Sequence, residues 1–172
     1  MSVATIDHNE KFYEDADNIY FKSGRYSQWY LDAPFTDCDG VRYNCNEQYM
    51  MAKKAQTFND KETYDLIMAA TEPKEQKKLG RSVRNFDEVE WNKVADRVVY
   101  DANLLKFTQN DDLYKMLVKT NDKLIVECSP YDSIWGNGLN ITDTLNTNME
   151  NWPGTNRLGK AIMRVRETLQ NC

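Results

Sequence analysis

Two carboxylates stand where they could do chemistry. Glu47 opens a helical run, Asn46-Glu-Gln-Tyr-Met-Met-Ala-Lys-Lys54, and Asp132 lies in the loop Asp132-Ser-Ile-Trp135-Gly136-Asn-Gly138. Cleaving a glycosidic bond passes through an oxocarbenium-like transition state, which a nearby anion stabilises while a second acid or base serves the leaving group or water. Lys54 follows Glu47 by two helical turns, about 10 Å along the axis, on the same face. That is too far for backbone neighbours to touch, but it suits two groups reaching opposite ends of one ligand. Trp135 beside Gly136 offers a flat ring and a permissive backbone, and a ring of this kind stacks on a base with about 1–3 kcal/mol. Asn156 and Arg157 sit in Gly154-Thr-Asn-Arg-Leu-Gly159, where free N–H groups at a helix start could hold a phosphate. Each residue also has a plain structural reading. A first-turn acid such as Glu47 suits the helix dipole, Asp132 can cap its own turn, Trp135 can fill a core, and Arg81 can satisfy carbonyls at a helix end.

Other chemistries are excluded. The one histidine, His8, lies in a polar N-terminal stretch, so neither a Ser-His-Asp triad nor a Cys-His pair can be assembled. The chain contains no GxxxxGK[ST] loop. Cys38, Cys45, Cys128 and Cys172 form no CxxC pair, so no structural metal, cofactor or disulfide framework is expected. The net charge of −5 argues against general coating of nucleic acid, although 22 basic residues leave room for a local basic pocket. No run is long enough to span a membrane, and Met1 to His8 shows neither a basic start nor an apolar segment. No membrane association and a cytoplasmic location are therefore expected.

The elements that must position these residues are mostly helical. Asn46 is expected to cap the first helix, Asp60–Ala70 reads as a second, and Pro73 opens a third that Gly80 closes at C′. Asp87 begins the best-patterned helix, with an apolar stripe of Trp91, Val94/Ala95, Val98, Ala102 and Leu105. A short helix carrying Leu113, Tyr114 and Leu117 follows, capped by Asn110. The last helix spans about Thr155 to Leu169 and buries Leu158, Ala161/Ile162, Val165 and Leu169. Leu124-Ile-Val126 reads as a buried strand, Ile19-Tyr-Phe21 as a short apolar segment, and Phe35 with Val41–Tyr43 as a hairpin around Asp37-Cys-Asp-Gly40. The predicted class is mainly α with a few short β-strands (α+β): a compact single domain over residues 12–170 behind a flexible N-terminus at 1–11.

Taken in order, the pieces resemble the NADAR (YbiA-like) family. The matching stretches are Phe21 through Ser27-Gln-Trp-Tyr and Ala-Pro-Phe35, then Tyr43-Asn-Cys-Asn-Glu47-Gln-Tyr-Met-Met-Ala-Lys-Lys54. Leu79-Gly-Arg81, Trp91 with Arg97, and Lys106-Phe107 follow. Leu-Ile-Val-Glu127, Asp132-Ser-Ile-Trp135-Gly and Gly154-Thr-Asn156-Arg-Leu-Gly159 through Arg166 complete the set. The resemblance implies an N-glycosidase acting on amine-linked ribose, with Glu47, Lys54, Asp132 and Trp135 on the family's acidic, lysine and Asp-x-x-Trp-Gly positions. The chain departs from the pattern at Gln48, where a histidine is usual, and at Ser27-Gln28-Trp29, where Ser-Asn-Phe is usual.

The expected catalytic residues are Glu47, Asp132, Lys22 and Lys54. Lys22 is placed as lysines are in toxin-associated members and is favoured as a Schiff-base amine, with Lys54 as a phosphate or charge partner. The expected substrate contacts are Trp135, Gly136, Asn156, Arg157, Arg81, Tyr26 and Ser27. The leading substrate is ADP-ribosylated guanine, in DNA or as a nucleotide, in an antitoxin-like reversal of DarT-type ADP-ribosylation. The alternatives are a phosphorylated ribosylamino-pyrimidine of riboflavin biosynthesis, and a non-catalytic module binding ADP-ribose or a nucleotide. No obligatory protein partner is inferred.

Overall fold

The computed structural model describes residues 5–6 and 11–172. Residues 1–4 and 7–10, and with them His8 and most of the segment expected to be flexible, lie outside the described residues. The chain divides into two compact units, Met1–Ser27 with Lys115–Cys172, and Gln28–Tyr114.

The first unit is built on a four-stranded sheet in the order β1 (Thr5–Ile6), β2 (Phe12–Glu14), β3 (Asn18–Phe21), β6 (Leu124–Glu127). The first three strands form an antiparallel meander, and β6 then pairs with β3 in parallel, Ile19 opposite Ile125 and Phe21 opposite Glu127. The last helix, α7 (Arg157–Gln170), lies against β6 and buries Leu158, Ala161, Ile162, Val165 and Leu169, the stripe read from its spacing. Its closeness depends on Gly159, where a Cβ would run into the Ile125 carbonyl and the Asn156 side chain. A short helix, α6 (Ile141–Leu145), and a 3-10 turn at Met149–Asn151 were not legible from spacing, being too short to show a period.

The second unit packs α1 (Asn46–Thr57) against α2 (Lys61–Ala69), α3 (Pro73–Arg81) and α4 (Glu88–Gln109), with the expected hairpin of β4 (Phe35–Thr36) and β5 (Arg42–Tyr43). A further helix, α5 (Asp111–Val118), carries the chain from the second unit back into the first.

Three local expectations change. Cys45, not Asn46, is the N-cap of α1, and Asn46 turns inward to donate through Nδ2 to Asn103 Oδ1 at 2.9 Å. Gly80 is not a left-handed C′ residue but lies within α3, where a Cβ would collide with Met51 Sδ, so its role is to let α3 approach α1. The buried stripe of α4 is Trp91, Ala95, Val99, Ala102, Asn103, Lys106 and Phe107, rotated from the expected one because two polar residues take core positions.

Candidate active site

In the second unit, Glu47 sits in the first turn of α1, 6% exposed, with its N–H bonded to the Gln28 carbonyl at 3.0 Å. Half-buried Lys54 projects from the last turn of the same helix and feels Glu47. Arg81, the last residue of α3, is drawn within electrostatic range of Lys54 by the helix contact that Gly80 permits. Burial pushes the Lys54 ammonium below its ordinary value. Glu47 pulls it partly back, and Arg81 adds to the lowering. The Lys54 Nζ also rests 4.3 Å from the centre of the Phe86 ring. Glu47 and Arg81, both expected to act, thus each lie within electrostatic range of Lys54.

The two departures from the family pattern have separate explanations. Gln48 is turned to α2: its Oε1 accepts the Asn44 N–H at 2.8 Å, and its Nε2 reaches the carbonyls of Ile67, Met68 and Ala70 at 3.2–3.3 Å. It therefore ties α1 to the end of α2 rather than lining the Glu47 face. Gln28 holds Glu47 through its main chain, and its side-chain Nε2 lies 3.5 Å from Met50 Sδ.

In the first unit the Asp132–Gly138 loop and the start of α7 are zipped together. The N–H groups of Thr155, Asn156, Arg157 and Leu158 donate to the carbonyls of Ser133, Gly136, Ile134 and Trp135. Asn156, in the left-handed region at φ 50°, uses its side chain to accept from Glu127 N–H and donate to the Ile125 carbonyl. These amides are committed to the loop, so a phosphate there would have to be held by side chains. Gly136 is buried, and a Cβ on it would press against the Asp132 and Glu127 carbonyls. Asp132 Oδ1 accepts from Ile134 and Trp135 N–H at 3.0 and 2.8 Å, which makes this oxygen a loop cap. The Arg157 guanidinium lies 4.3 Å from the centre of the Trp135 ring, so a base stacking on Trp135 would take the opposite face.

The remaining candidates, Lys22, Tyr26 and Ser27, belong to a turn with Gly24 at φ +92°. Lys22 is exposed, whereas Tyr26 is buried beside Phe21 and Phe12, and burial raises its hydroxyl. Ser27 closes the turn through its N–H to the Gly24 carbonyl at 2.9 Å.

Two residues in this unit are given no role by the sequence reading. Phe86 is the ring under Lys54. Lys106 is 1% exposed, with its amine 5.6 and 5.3 Å from the ring centres of Tyr30 and Phe107. Burial pushes it down to about 7, with only partial relief from Cys45. A signal for Lys106 existed, since continuing the α4 spacing through residues 91, 95, 99 and 102 lands on 106.

The family model described as "NADAR domain" matches residues 11–170. The chain belongs to the NADAR family. It is 45% identical over 130 residues to N-glycosidase R617 of Acanthamoeba polyphaga mimivirus, covering 76% of each chain. N-glycosidase Npun_R5314 of Nostoc punctiforme is 37% identical over 125 residues, 73% of each chain. The NMR structure of the E. coli protein YbiA superposes with a TM-score of 0.72 at 27% identity, covering 91% of this chain and 86% of the other. This NADAR chain therefore has the mainly helical fold with short strands that its sequence implied. Among the described residues no helix is long and apolar enough to cross a membrane.

Proposed function

We propose that this protein is an N-glycosidase that hydrolyses amine-linked ribose, and that its substrate is ADP-ribose carried on the exocyclic amine of guanine. The observation that carries the reading is a half-buried Lys54 that feels both Glu47 and Arg81, in a NADAR chain whose relatives are named N-glycosidases. A buried acid is suited to moving a proton, and two cations with one amine held down by burial are suited to an anionic substrate. In the proposed reaction the glycosylamine opens to an iminium at C1, and the Lys22 amine adds to that carbon. Glu47 hands a proton to the departing guanine amine, and water then hydrolyses the lysine imine to release ADP-ribose and regenerate the amine. Trp135 stacks on a base of the substrate, and Asp132 holds that ring in place through the loop. Lys54 and Arg81 neutralise phosphate.

A second reading, hydrolysis of a phosphorylated ribosylamino-pyrimidine, draws support from the net charge of −5, which disfavours a DNA-linked substrate. The deciding experiment offers the protein both substrates and follows sugar release by chromatography. Release from ADP-ribosyl-guanine supports the first reading, release from the pyrimidine phosphate alone supports the second, and release from neither removes both.

A further inference from the structure

We infer that Phe86, with the Lys54 ammonium over one face of its ring and Arg81 within electrostatic range of Lys54, is part of a subsite for a nucleoside phosphate: a planar base on the ring face away from Lys54 and its phosphate on the two cations. The inference rests on the N-glycosidase reading for its location and adds a recognition element that the reaction itself does not require.

Phe86 is held rather than loose. Two residues earlier, Arg84 is fixed to the Asp60 carboxylate by its N–H and by Nη2, both at 2.9 Å. Asn85 adopts φ 59°, a left-handed turn that asparagine tolerates, and Asp87 caps α4 through Glu90 N–H. The ring between these anchors meets Phe58 edge-on, 5.4 Å between centres at 69°, the preferred arrangement of two aromatic quadrupoles. Even so, Phe86 stays 45% exposed. A single exposed apolar side chain is ordinary. An exposed ring held by its backbone and by a second ring, with an ammonium 4.3 Å from its centre, is a prepared surface. That ammonium is also repelled by Arg81, and an anion between the two cations would relieve the repulsion. A base and a phosphate supply what the three side chains lack.

The spacing also separates the candidate substrates. Glu47, Lys54 and Phe58 share a face of α1, and Phe58 lies about 16 Å along the axis from Glu47. A glycoside with a single phosphate ends near Lys54. Reaching Phe86 takes a second nucleoside joined through a pyrophosphate, as in ADP-ribose.

The test is calorimetric titration of the full chain and of its Phe86→Ala and Phe86→Trp variants with AMP, ADP-ribose and ribose 5-phosphate. The expected result is AMP and ADP-ribose binding weakened about tenfold in Phe86→Ala, retained in Phe86→Trp, with ribose 5-phosphate unchanged by either. Equal AMP binding in wild type and Phe86→Ala overturns the inference. So does an equal loss for ribose 5-phosphate, or loss of AMP binding in a folded Phe86→Trp. AMP binding that depends on Phe86 without hydrolysis of any N-glycoside would leave the subsite standing and remove the enzymatic reading. Hydrolysis with Phe86-independent binding would do the reverse.

Discussion

At the scale of single residues, environment separates groups that look alike in the sequence. Lys22 is exposed, Lys54 is half-buried beside an acid and an arginine, and Lys106 is enclosed among rings. If Lys22 forms the imine, borohydride added during turnover should link sugar to the protein, and Lys22→Ala should abolish the adduct seen by intact-mass measurement. An adduct of undiminished yield would move the role to another lysine. Glu47→Gln keeps the shape of the side chain and the main-chain bond to Gln28 but removes the proton carrier. Hydrolysis should fall about 10²–10⁴-fold while thermal unfolding stays close to wild type. A rate within threefold of wild type would take Glu47 out of the mechanism.

At the scale of elements, the Glu47–Lys54–Arg81 group depends on how closely α3 approaches α1. Gly80 sets that distance, because a methyl group there meets Met51 Sδ. Met51 is itself buried, so the overlap must be relieved by moving the helix or the side chain. Gly80→Ala should cost about 1–3 kcal/mol in denaturant unfolding and raise KM more than it lowers kcat, since Arg81 is displaced and Glu47 is not. Gly159→Ala, against the Ile125 carbonyl, is the control in the first unit: it should destabilise by a similar mechanism and leave Arg81 in place. If both substitutions changed KM alike, the Gly80 contact would not be what positions Arg81.

At the scale of the whole molecule, buried ionisable groups make stability depend on pH. The Lys106 amine titrates near 7 in the folded chain and near 10.5 when unfolded. Between those values the unfolded chain binds a proton that the folded chain does not, so stability falls as pH falls from about 10.5 toward 7. The cleanest window is pH 7 to 8.5. Cys45 and Cys128, pushed up by burial to about 11 and about 12, reverse the trend at higher pH because unfolding frees them to ionise. In the window, urea unfolding should show stability rising by about 1 kcal/mol per pH unit, and Lys106→Met should flatten that slope. A slope that persists unchanged in Lys106→Met would show that the lysine is charged and satisfied in the native state. The two exposed thiols, Cys38 and Cys172, should react with a disulfide reagent at neutral pH while Cys45 and Cys128 stay protected until unfolding.

The ordered motifs carried the family, the helical class and most candidate residues, because helix periodicity, caps and apolar stripes are local properties that a sequence displays directly. Leu158 through Leu169 and the hairpin at Phe35 and Tyr43 were readable for that reason. What became of those residues was not. Asn156 reads in the sequence as a phosphate contact, and its side chain clamps β6 to α7; Gln48 reads as a departure from the family pattern, and it ties α1 to α2. Lys106, named only within a matching stretch, lies inside. In each case the partner is a main-chain group or an apolar wall contributed by a segment distant in the chain. Only tertiary packing decides which hydrogen bonds a polar side chain has already spent and which it keeps for a substrate.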